Sequence, residues 1–244
     1  MGALPVKLVM TSNGIRVHEF LSVLKSAKIR TINISLDTLQ PDKFLLITRS
    51  NLFHRVRSNI ELLLQHDFQV KINVVVMKGF KEGEINDFIA WTTHIPVQVR
   101  FIEFMPFSGN RWTNNQVFSL DEMLTKIGTR YEYLPVKGEA HDTAKHFMIP
   151  GHTGSFAVIS TMSMPFCSGC NRMRLTSDGK LKNCLFSSGE TDLLSALRKG
   201  EDIIPLIHQT IQAKAKQLGG QFSGSFELLD AATIQNRSMI TIGG

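Results

Sequence analysis

The chain has 244 residues and a mass of 27.4 kDa, which is long enough for one large domain or two modest ones. Hydrophobic residues make up 43% and charged residues 20%, and no apolar run reaches the roughly 18 residues of a membrane span, as in a soluble globular protein. Lysine and arginine (27) outnumber aspartate and glutamate (21), so the net charge is +6 and the pI is near 9.3. This balance favours an anionic partner, either a nucleic acid or a phosphorylated small molecule.

The first hundred residues alternate strand-like and helix-like segments. The patterns predict strands at 6–11, 30–36, 70–76 and 97–104, and amphipathic helices at 17–27, 52–65 and 84–92. This alternation is typical of βαβ units and a parallel sheet, open or closed into a barrel, in which ligands collect at the carboxyl ends of the strands. The first strand begins almost at once, with no cap or turn before it, so we expect the chain to start partway through a fold.

From about residue 107 the pattern changes, because Gly, Asn and Pro become denser. A helix at 119–127, a strand at 131–136, a polar stretch at 137–152 and a strand at 155–160 are predicted there. An Asp178-Gly179 turn predicts a hairpin between segments 172–176 and 180–185. Helices at 191–199 and 202–218 and a polar tail follow. The change predicts two domains, residues 1–106 and 107–244.

All three cysteines fall in one short window, as Cys167, Cys170 and Cys184. Thiolate is the soft ligand that zinc and iron–sulfur clusters select, and this spacing favours a metal site over a disulfide framework. Zinc would need a fourth protein ligand, for which His146 and His152 are candidates, whereas a four-iron cluster on three cysteines leaves one iron open. The spacing alone leaves both metals open. Clustered cysteines in an otherwise cysteine-free chain indicate a reducing compartment, so we expect a cytoplasmic protein.

Two arginines, Arg172 and Arg174, follow the second cysteine on a predicted strand. Alternate strand residues share one face, so both guanidinium groups are expected beside the metal. Such a pair suits a phosphate chain, because each guanidinium can bind phosphate oxygens bidentately. The alternatives are a solvated basic face and phosphate contacts to nucleic acid, as in a zinc ribbon.

Polar residues also interrupt the predicted strands of the first half. They are Thr11, Asn33, Ser35, Lys71, Asn73, Arg100 and Glu103. These residues lie within strands or at their ends, where the chemistry of such sheets belongs, and Lys, Arg and Glu rarely point unpaired into an apolar core, so we expect the set to be functional. Any single member could instead face a polar barrel mouth as part of a structural ion pair.

The longest motif, at residues 166–186, reads FCSGCNRMRLTSDGKLKNCLF. Shorter motifs accompany it, namely TSNG at 11–14, NISLD at 33–37, KINV at 71–74, RFIEFM at 100–105 and IGG at 242–244. With these motifs the chain resembles, over essentially its whole length, the molybdenum cofactor biosynthesis protein A family, the radical S-adenosylmethionine (SAM) GTP 3',8-cyclases. The resemblance implies an α/β fold, with a partial (βα) barrel of TIM type over 1–106 and a C-terminal auxiliary iron–sulfur and GTP-binding domain over 107–244.

The resemblance also implies roles for individual residues. Cys167, Cys170 and Cys184 would hold an auxiliary [4Fe–4S] cluster whose open iron binds the guanine of GTP. The residues implied to contact GTP are Thr11, Lys71, Arg100, Arg172, Met173 and Arg174. Ser35 and Met105 would contact SAM, and the Gly243-Gly244 tail would reach into the active site.

The activity implied by the resemblance is that of a lyase in molybdenum cofactor biosynthesis. A radical derived from SAM removes a ribose hydrogen from GTP, and the sugar radical adds to C8 of guanine, giving (8S)-3',8-cyclo-7,8-dihydroguanosine 5'-triphosphate. The family begins with a C-x3-C-x2-C loop for a first [4Fe–4S] cluster, and this chain lacks that motif. We therefore expect an N-terminally truncated enzyme that is inactive alone, because the first cluster has no ligands.

Partners follow from the same resemblance. They are GTP and SAM, a second copy of the chain in the intact enzyme, and the downstream cyclic pyranopterin monophosphate synthase, with neither membrane nor nucleic acid expected. Two alternatives stay open. A zinc-ribbon-type nucleic-acid-binding module would explain the charge and the cysteines but not the polar strand residues. The other alternative is a non-catalytic remnant of the enzyme.

Overall fold

A computed structural model describes residues 6–80, 82–222 and 225–242 of the chain. These residues form two compact units that interleave along the sequence. The first unit takes in the described residues up to Glu103, together with Leu120–Gly138 and Ala144–Ile159. The second takes in Phe104–Ser119, Glu139–Thr143 and the described residues from Ser160 onward. The domain boundary at residue 106 stays a prediction.

A largely parallel sheet forms the centre of the first unit. Its seven strands within the described residues are β1 (Val9–Ser12), β2 (Thr31–Ser35), β3 (Gln69–Val76), β4 (Gln98–Glu103), β5 (Leu134–Val136), β6 (Lys145–Met148) and β7 (Ser155–Ile159). Their order is β1-β2-β3-β4-β7-β6-β5, with β1, β2, β3, β4 and β7 parallel and the last two antiparallel. The predicted parallel sheet is confirmed, and it is open over the described residues, with β1 and β5 at its edges.

Helices connect the parallel strands, as the alternating pattern predicts. In the first unit they are α1 (Leu21–Ser26), α2 (Pro41–Thr48), α3 (Phe53–Gln65), α4 (Ile85–Trp91) and α5 (Leu120–Gly128). The sequence prediction missed α2. Its start has a local signal, because Pro41 occupies the first turn, where the missing N–H of proline costs nothing.

The core of the first unit follows from strand alternation. On β3, Val70, Ile72, Val74 and Val76 are buried, and the residues between them are more exposed. Ile32, Ile34, Val99 and Phe101 extend this apolar layer on the neighbouring strands. One face of the sheet is therefore sealed by apolar contacts, and its other face carries the polar residues.

The second unit contains a smaller sheet and two helices among its described residues. The antiparallel strands β8 (Arg174–Leu175), β9 (Lys180–Lys182) and β10 (Thr191–Asp192) lie in the order β10-β9-β8, with α6 (Leu193–Arg198) and α7 (Ile204–Gln212) after them. An apolar cluster of Trp112, Val117, Met162, Phe186 and Leu218 packs against Cys167 and Cys184. The predicted hairpin at Asp178-Gly179 is confirmed.

Several sequence predictions differ from the structure in extent. The first strand is Val9–Ser12 rather than 6–11, β5 is Leu134–Val136 rather than 131–136, and the predicted helix at 191–199 opens with strand β10 before α6. The polar stretch at 137–152 contains strand β6, which pairs with both β5 and β7. Helix α7 ends at Gln212, and residues 213–217 leave the helical path before a short turn at Leu218–Gly220. Strand β8 begins at Arg174, because the cross-strand ladder starts at the pair Arg174–Lys182.

No helix within the described residues combines the length and the apolar character that crossing a membrane requires.

Candidate functional site

The first part of the candidate site is a polar face on the parallel sheet. The strand register aligns Thr11 on β1 with Asn33 on β2, Lys71 on β3 and Gln98 on β4. The amide of Asn33 donates from Nδ2 to Thr11 Oγ1 at 3.1 Å. A continuous polar row therefore crosses four neighbouring strands of the first unit.

A second row lies two residues further along, where Ser35, Asn73 and Arg100 are aligned. Alternate strand residues point to the same face, so both rows share one face of the sheet. Arg100 Nε donates to Asn73 Oδ1 at 2.9 Å, which directs its guanidinium group across the strands. Four of the predicted site residues, Thr11, Ser35, Lys71 and Arg100, are thus brought onto one face.

Glu103 does not join this face, although it belongs to the same strand as Arg100. It is completely buried, and its position on β4 puts it on the side of Phe101 rather than of Arg100. Its carboxylate accepts a hydrogen bond from the backbone N–H of Leu120 at 3.0 Å, at the start of α5. Glu103 therefore stabilises a helix N-terminus, a structural role.

The loop after Ser35 is held by a buried carboxylate that sequence reasoning did not find. Glu84 is 3% exposed and accepts hydrogen bonds from Thr38 Oγ1 at 2.7 Å, the backbone N–H of Leu39 at 2.9 Å and Lys43 Nζ at 3.0 Å. Burial acts to raise the pKa of Glu84, but these bonds and the charge of Lys43 outweigh it and hold the pKa below its ordinary value. Its partners are some 45 residues away in sequence, so no local pattern marks it.

The three cysteines lie in the second unit as half-buried free thiols. Cys167 opens a single 3-10 turn that ends at Gly169, and the N–H of Cys170 bonds to the carbonyl of Cys167 at 3.1 Å. The N–H of Leu218 donates to Cys167 Sγ at 3.4 Å. Such a donor stabilises negative charge on sulfur, which is what a metal-bound thiolate requires.

The charges of two of the thiols act on the third. Burial raises the pKa of Cys167, the Leu218 N–H lowers it, and the charges of Cys184 and Cys170 raise it further. Yet no group of three or more His, Cys, Asp or Glu side chains in the described part of the chain is gathered closely enough to hold a single metal ion. Cys170 and Cys184 nevertheless lie near enough for their charges to act on Cys167.

The two histidines considered as a fourth zinc ligand engage partners in the first unit. His146 Nδ1 lies 3.2 Å from Gln98 Nε2, and His152 Nδ1 lies 2.9 Å from Thr92 Oγ1. Burial, followed by the charge of His94, lowers the pKa of His152. Each ring is therefore explained by its packing within that unit.

Two cationic side chains lie close to the cysteines in the second unit. Arg172 Nη2 donates to Thr143 Oγ1 at 3.1 Å, and Arg174 Nη1 donates to the carbonyl of Ile242 at 2.9 Å. Arg172 precedes β8 rather than lying on it, so the predicted strand spacing of the pair is wrong in detail. Burial lowers the pKa of Arg174 and the positive charge of Arg172 lowers it further, whereas Cys184 acts in the opposite direction. Half-buried Met173 separates the two.

Further contacts that sequence reasoning missed fix the backbone around this hairpin. Lys214 Nζ donates to the carbonyl of Arg172 at 2.8 Å and also to the carbonyl of Asn183. His141 Nδ1 lies 2.6 Å from the carbonyl of Gly169, within the cysteine turn. These bonds join segments 28 to 42 residues apart, so neither composition nor spacing signals them.

Met105 lies in the second unit, in the loop that follows β4. Its carbonyl accepts a hydrogen bond from Asn110 Nδ2 at 2.8 Å, and Asn110 Oδ1 accepts from the N–H groups of Phe107 at 3.3 Å and Trp112 at 3.2 Å. Asn110 therefore fixes the path of the loop around Met105. The turn sequence at 108–110 is the signal that could have pointed to it.

A cavity of about 690 Å³ also lies in the second unit. It is lined by residues of the segments 215–222 and 225–233, among them Lys216, Phe222 and Asp230. None of the predicted site residues lines it, so it is separate from the cysteines and the arginine pair.

Comparison with known families gives two matches. The family described as Molybdenum Cofactor Synthesis C matches residues 97–219, and the radical SAM superfamily matches residues 3–92. Together they extend from the polar face of the sheet through the cysteine hairpin.

Several similar proteins cover nearly all of the chain. Molybdenum cofactor biosynthesis protein 1 of Mus musculus is 42% identical over 241 residues, which are 96% of this chain and 36% of the mouse protein. The mitochondrial GTP 3',8-cyclase of Arabidopsis thaliana is 40% identical over 97% of this chain and 60% of its own length. The GTP 3',8-cyclase of Peptoclostridium acidaminophilum is 38% identical over 98% of this chain and 71% of its own length. The chain thus spans little more than a third of the mouse relative.

Proposed function

This chain belongs to the molybdenum cofactor synthesis family of the radical SAM superfamily, and we propose that it carries the nucleotide-binding part of a GTP 3',8-cyclase. The reaction is the conversion of GTP to (8S)-3',8-cyclo-7,8-dihydroguanosine 5'-triphosphate in molybdenum cofactor biosynthesis. Relatives named for this activity, in a plant and in a bacterium, cover 97% and 98% of the chain.

The observation that carries the proposal is the arginine pair beside the cysteines. Arg172 and Arg174 are close enough for the charge of one to lower the pKa of the other, and Arg174 is half-buried. Holding two like charges together in a partly desolvated place costs free energy, which a bound polyanion offsets. Guanidinium groups bind phosphate oxygens through paired hydrogen bonds, so a nucleotide triphosphate suits the pair.

We propose that the cysteines hold an iron–sulfur cluster. Cys167, Cys170 and Cys184 are three soft ligands, the charges of Cys170 and Cys184 act on Cys167, and the matching superfamily is one of [4Fe–4S] proteins. When bound, a [4Fe–4S] cluster on three cysteines supplies an iron that can accept a nitrogen or oxygen ligand from the guanine base. The residues around it hold the triphosphate, so that base and phosphates are fixed at two points.

The polar face of the sheet supports binding from the first unit. Lys71 and Arg100 are cations on adjacent polar rows, and Thr11 lies in the same row as Lys71. We propose that these three contact GTP, together with Met173 beside the arginine pair. Ser35, at the carboxyl end of β2, and Met105, after β4, are proposed to contact SAM.

The superfamily implies SAM and a [4Fe–4S] cluster that cleaves it. All three cysteines of this sequence lie between residues 167 and 184, so a SAM-cleaving cluster would need ligands from outside these 244 residues. We accordingly propose that this chain binds and orients substrate and depends on such ligands for turnover. The part it contributes is a portion of a (βα) barrel together with an auxiliary-cluster domain.

Several finer expectations remain proposals. They are a homodimer in the intact enzyme, a functional link to cyclic pyranopterin monophosphate synthase, a cytoplasmic location and the Gly243-Gly244 tail in the active site, two residues that lie outside the described part. The comparisons do not favour the zinc-ribbon alternative. A non-catalytic remnant differs from our proposal only in turnover.

The test measures GTP binding to the anaerobically reconstituted chain by titration calorimetry. Arg174→Met is expected to lower the affinity for GTP roughly 10- to 100-fold, since a hydrogen bond to a charged group contributes about 1.5–3 kcal/mol. Guanosine, which lacks the triphosphate, should bind the variant and the unsubstituted chain alike.

The matched control is Arg198→Met, which removes the same charge from an exposed position of α6 in the same unit. It should leave GTP affinity within about twofold, because screened surface charges contribute little. If both substitutions weaken GTP binding equally, the arginine pair contributes only through general electrostatics. Salt-sensitive binding of nucleic acid that GTP does not displace would favour the zinc-ribbon alternative.

A further inference from the structure

Residues 235–242, here called the terminal strap, are anchored on the cysteine hairpin and the segments beside it in the second unit. Gln235 exchanges hydrogen bonds with Gln221, its N–H donating at 2.7 Å and its carbonyl accepting at 2.8 Å. Asn236 Nδ2 donates to the carbonyl of Leu185 at 2.9 Å, one residue after Cys184. The strap ends on Ile242, whose carbonyl accepts the bond from Arg174.

Arg237 is the charged anchor of the terminal strap. It donates to both carboxylate oxygens of Asp178, at 3.1 and 3.0 Å, in the hairpin turn. It also donates to Glu190, whose side chain is 13% exposed. A guanidinium group that joins two carboxylates in this way has a fixed position, because each planar fork permits one geometry.

Glu190 extends the network to a buried lysine. Lys182, 1% exposed, donates from Nζ to the carbonyl of Ser187 at 2.6 Å and to Glu190 Oε1 at 3.3 Å. An ammonium group at this depth must keep its partners, because a buried unpaired charge is strongly unfavourable. Glu190 is thereby held among three cations, because Lys182 and Arg237 bond to it and Lys180 Nζ lies 3.9 Å from its Oε2.

The network returns to Arg174. Strand pairing sets Arg174 directly opposite Lys182, so the backbone of Arg174 is fixed by the residue that Glu190 holds. The guanidinium group of Arg174 is fixed at its other end by Ile242 of the strap. Arg237 links the two ends, through Glu190 and Lys182 on one side and through the strap on the other.

We propose that Arg237 is a positioning residue for nucleotide binding, which orients the guanidinium group of Arg174 toward the phosphates. This inference rests on the proposed function, in which Arg174 binds the triphosphate. Arg237 does not itself contact the nucleotide. Arg237 holds Arg174 near one orientation before the nucleotide binds. Arg174 therefore loses less conformational entropy when the phosphates bind.

The experiment compares GTP and guanosine affinities of the reconstituted chain and its variants. Arg237→Met is expected to lower the affinity for GTP about tenfold and the affinity for guanosine less than twofold, while Arg198→Met changes neither affinity. Arg237→Lys, which keeps the charge but cannot join both carboxylates in the same geometry, should recover part of the GTP affinity. The double variant Arg237→Met with Arg174→Met should bind GTP no more weakly than Arg174→Met alone.

Three outcomes would overturn the inference. If Arg237→Met lowers the affinities for GTP and guanosine equally and also lowers the melting temperature, the role of Arg237 is purely structural. Additive losses in the double variant would show that Arg237 acts independently of Arg174. If Arg237→Met binds GTP as tightly as the control Arg198→Met does, Arg237 has no effect on nucleotide binding. A failure of the unsubstituted chain to bind GTP would instead refute the proposed function itself, and the inference with it.

Discussion

The parallel sheet of the first unit and the hairpin sheet of the second are built on different kinds of contact. Strands β2, β3 and β4 pair over runs of five and six residues, and the residues that seal their apolar face are almost completely buried. In the second unit, β8 and β10 have two residues each and β9 has three. There the chain is fixed by side chains that bond to distant backbone or to opposite charges.

This difference bears on how each unit presents its functional groups. A long ladder fixes the register and therefore the face of every residue on it, so polar residues can occupy one face at little cost. Short strands leave backbone geometry underdetermined, and the hairpin relies on Lys182, Lys214 and Arg237 to fix it. We expect apolar deletions to affect the first unit most and charge deletions to affect the second most.

The largest expected effect is that of Phe101→Ala in the first unit. Phe101 is completely buried and packs edge-on against Phe88 at 6.3 Å between ring centroids. Loss of the ring should lower the free energy of unfolding by about 4 kcal/mol, measured by urea denaturation. Leu46→Ala, at a position 69% exposed, is the control and should cost less than about 0.5 kcal/mol. A small loss in Phe101→Ala would contradict the apolar account of this unit.

A smaller effect is expected from Lys182→Met in the second unit. The substitution keeps the length of the side chain but leaves the carbonyl of Ser187 without its donor and Glu190 with fewer cations. We expect a loss of roughly 3 kcal/mol, since breaking a buried ion pair is costly even where Arg237 remains. Lys199→Met, at an exposed position, is the matched control. If Lys182→Met is as stable as this control, the ionic network is not what holds the hairpin.

The smallest effect tests a charge inside the apolar unit. Glu84→Gln should cost about 2 kcal/mol at neutral pH, because Lys43 loses its partner and one acceptor becomes a donor. The pKa of Glu84 is lowered in the folded chain, so its contribution is complete above the unfolded value of roughly 4.3 and is lost as the pH falls through the folded pKa. Unfolding measured from pH 7 to acid should therefore show the two proteins converging. A gap that stays constant with pH would contradict this.

The first unit, with its long paired strands, is the one whose structure the sequence predicts well. Apolar alternation in β3 and helical spacing in α3 are local patterns, and the structure has both elements within one residue of the predicted bounds. The polar face also follows from the sequence, since Lys71 and Arg100 are conspicuous in apolar strands. Glu103 shows the limit, because strand alternation puts it on the face opposite Arg100 but does not reveal its partner, the N–H of Leu120, 17 residues further on.

In the second unit, the sequence predicts the chemical groups of the site but not the contacts that hold them. Cysteine spacing and the Asp178-Gly179 turn mark the site in the sequence. Arg237 and Glu190 leave no such mark, because they meet across 47 residues through side chains whose pairing depends on the folded backbone. Asn110, which fixes the loop around Met105, is hidden among turn residues for the same reason.

The most direct test of the account is the metal content of the chain after anaerobic reconstitution. We predict iron and sulfide for one [4Fe–4S] cluster per chain, with visible absorbance that is lost in Cys184→Ala and retained in Ser168→Ala, an exposed position between Cys167 and Cys170. The loss follows because the cluster would keep two of its three protein ligands. One zinc per chain without iron–sulfur absorbance, or a cluster that survives in Cys184→Ala, would contradict it.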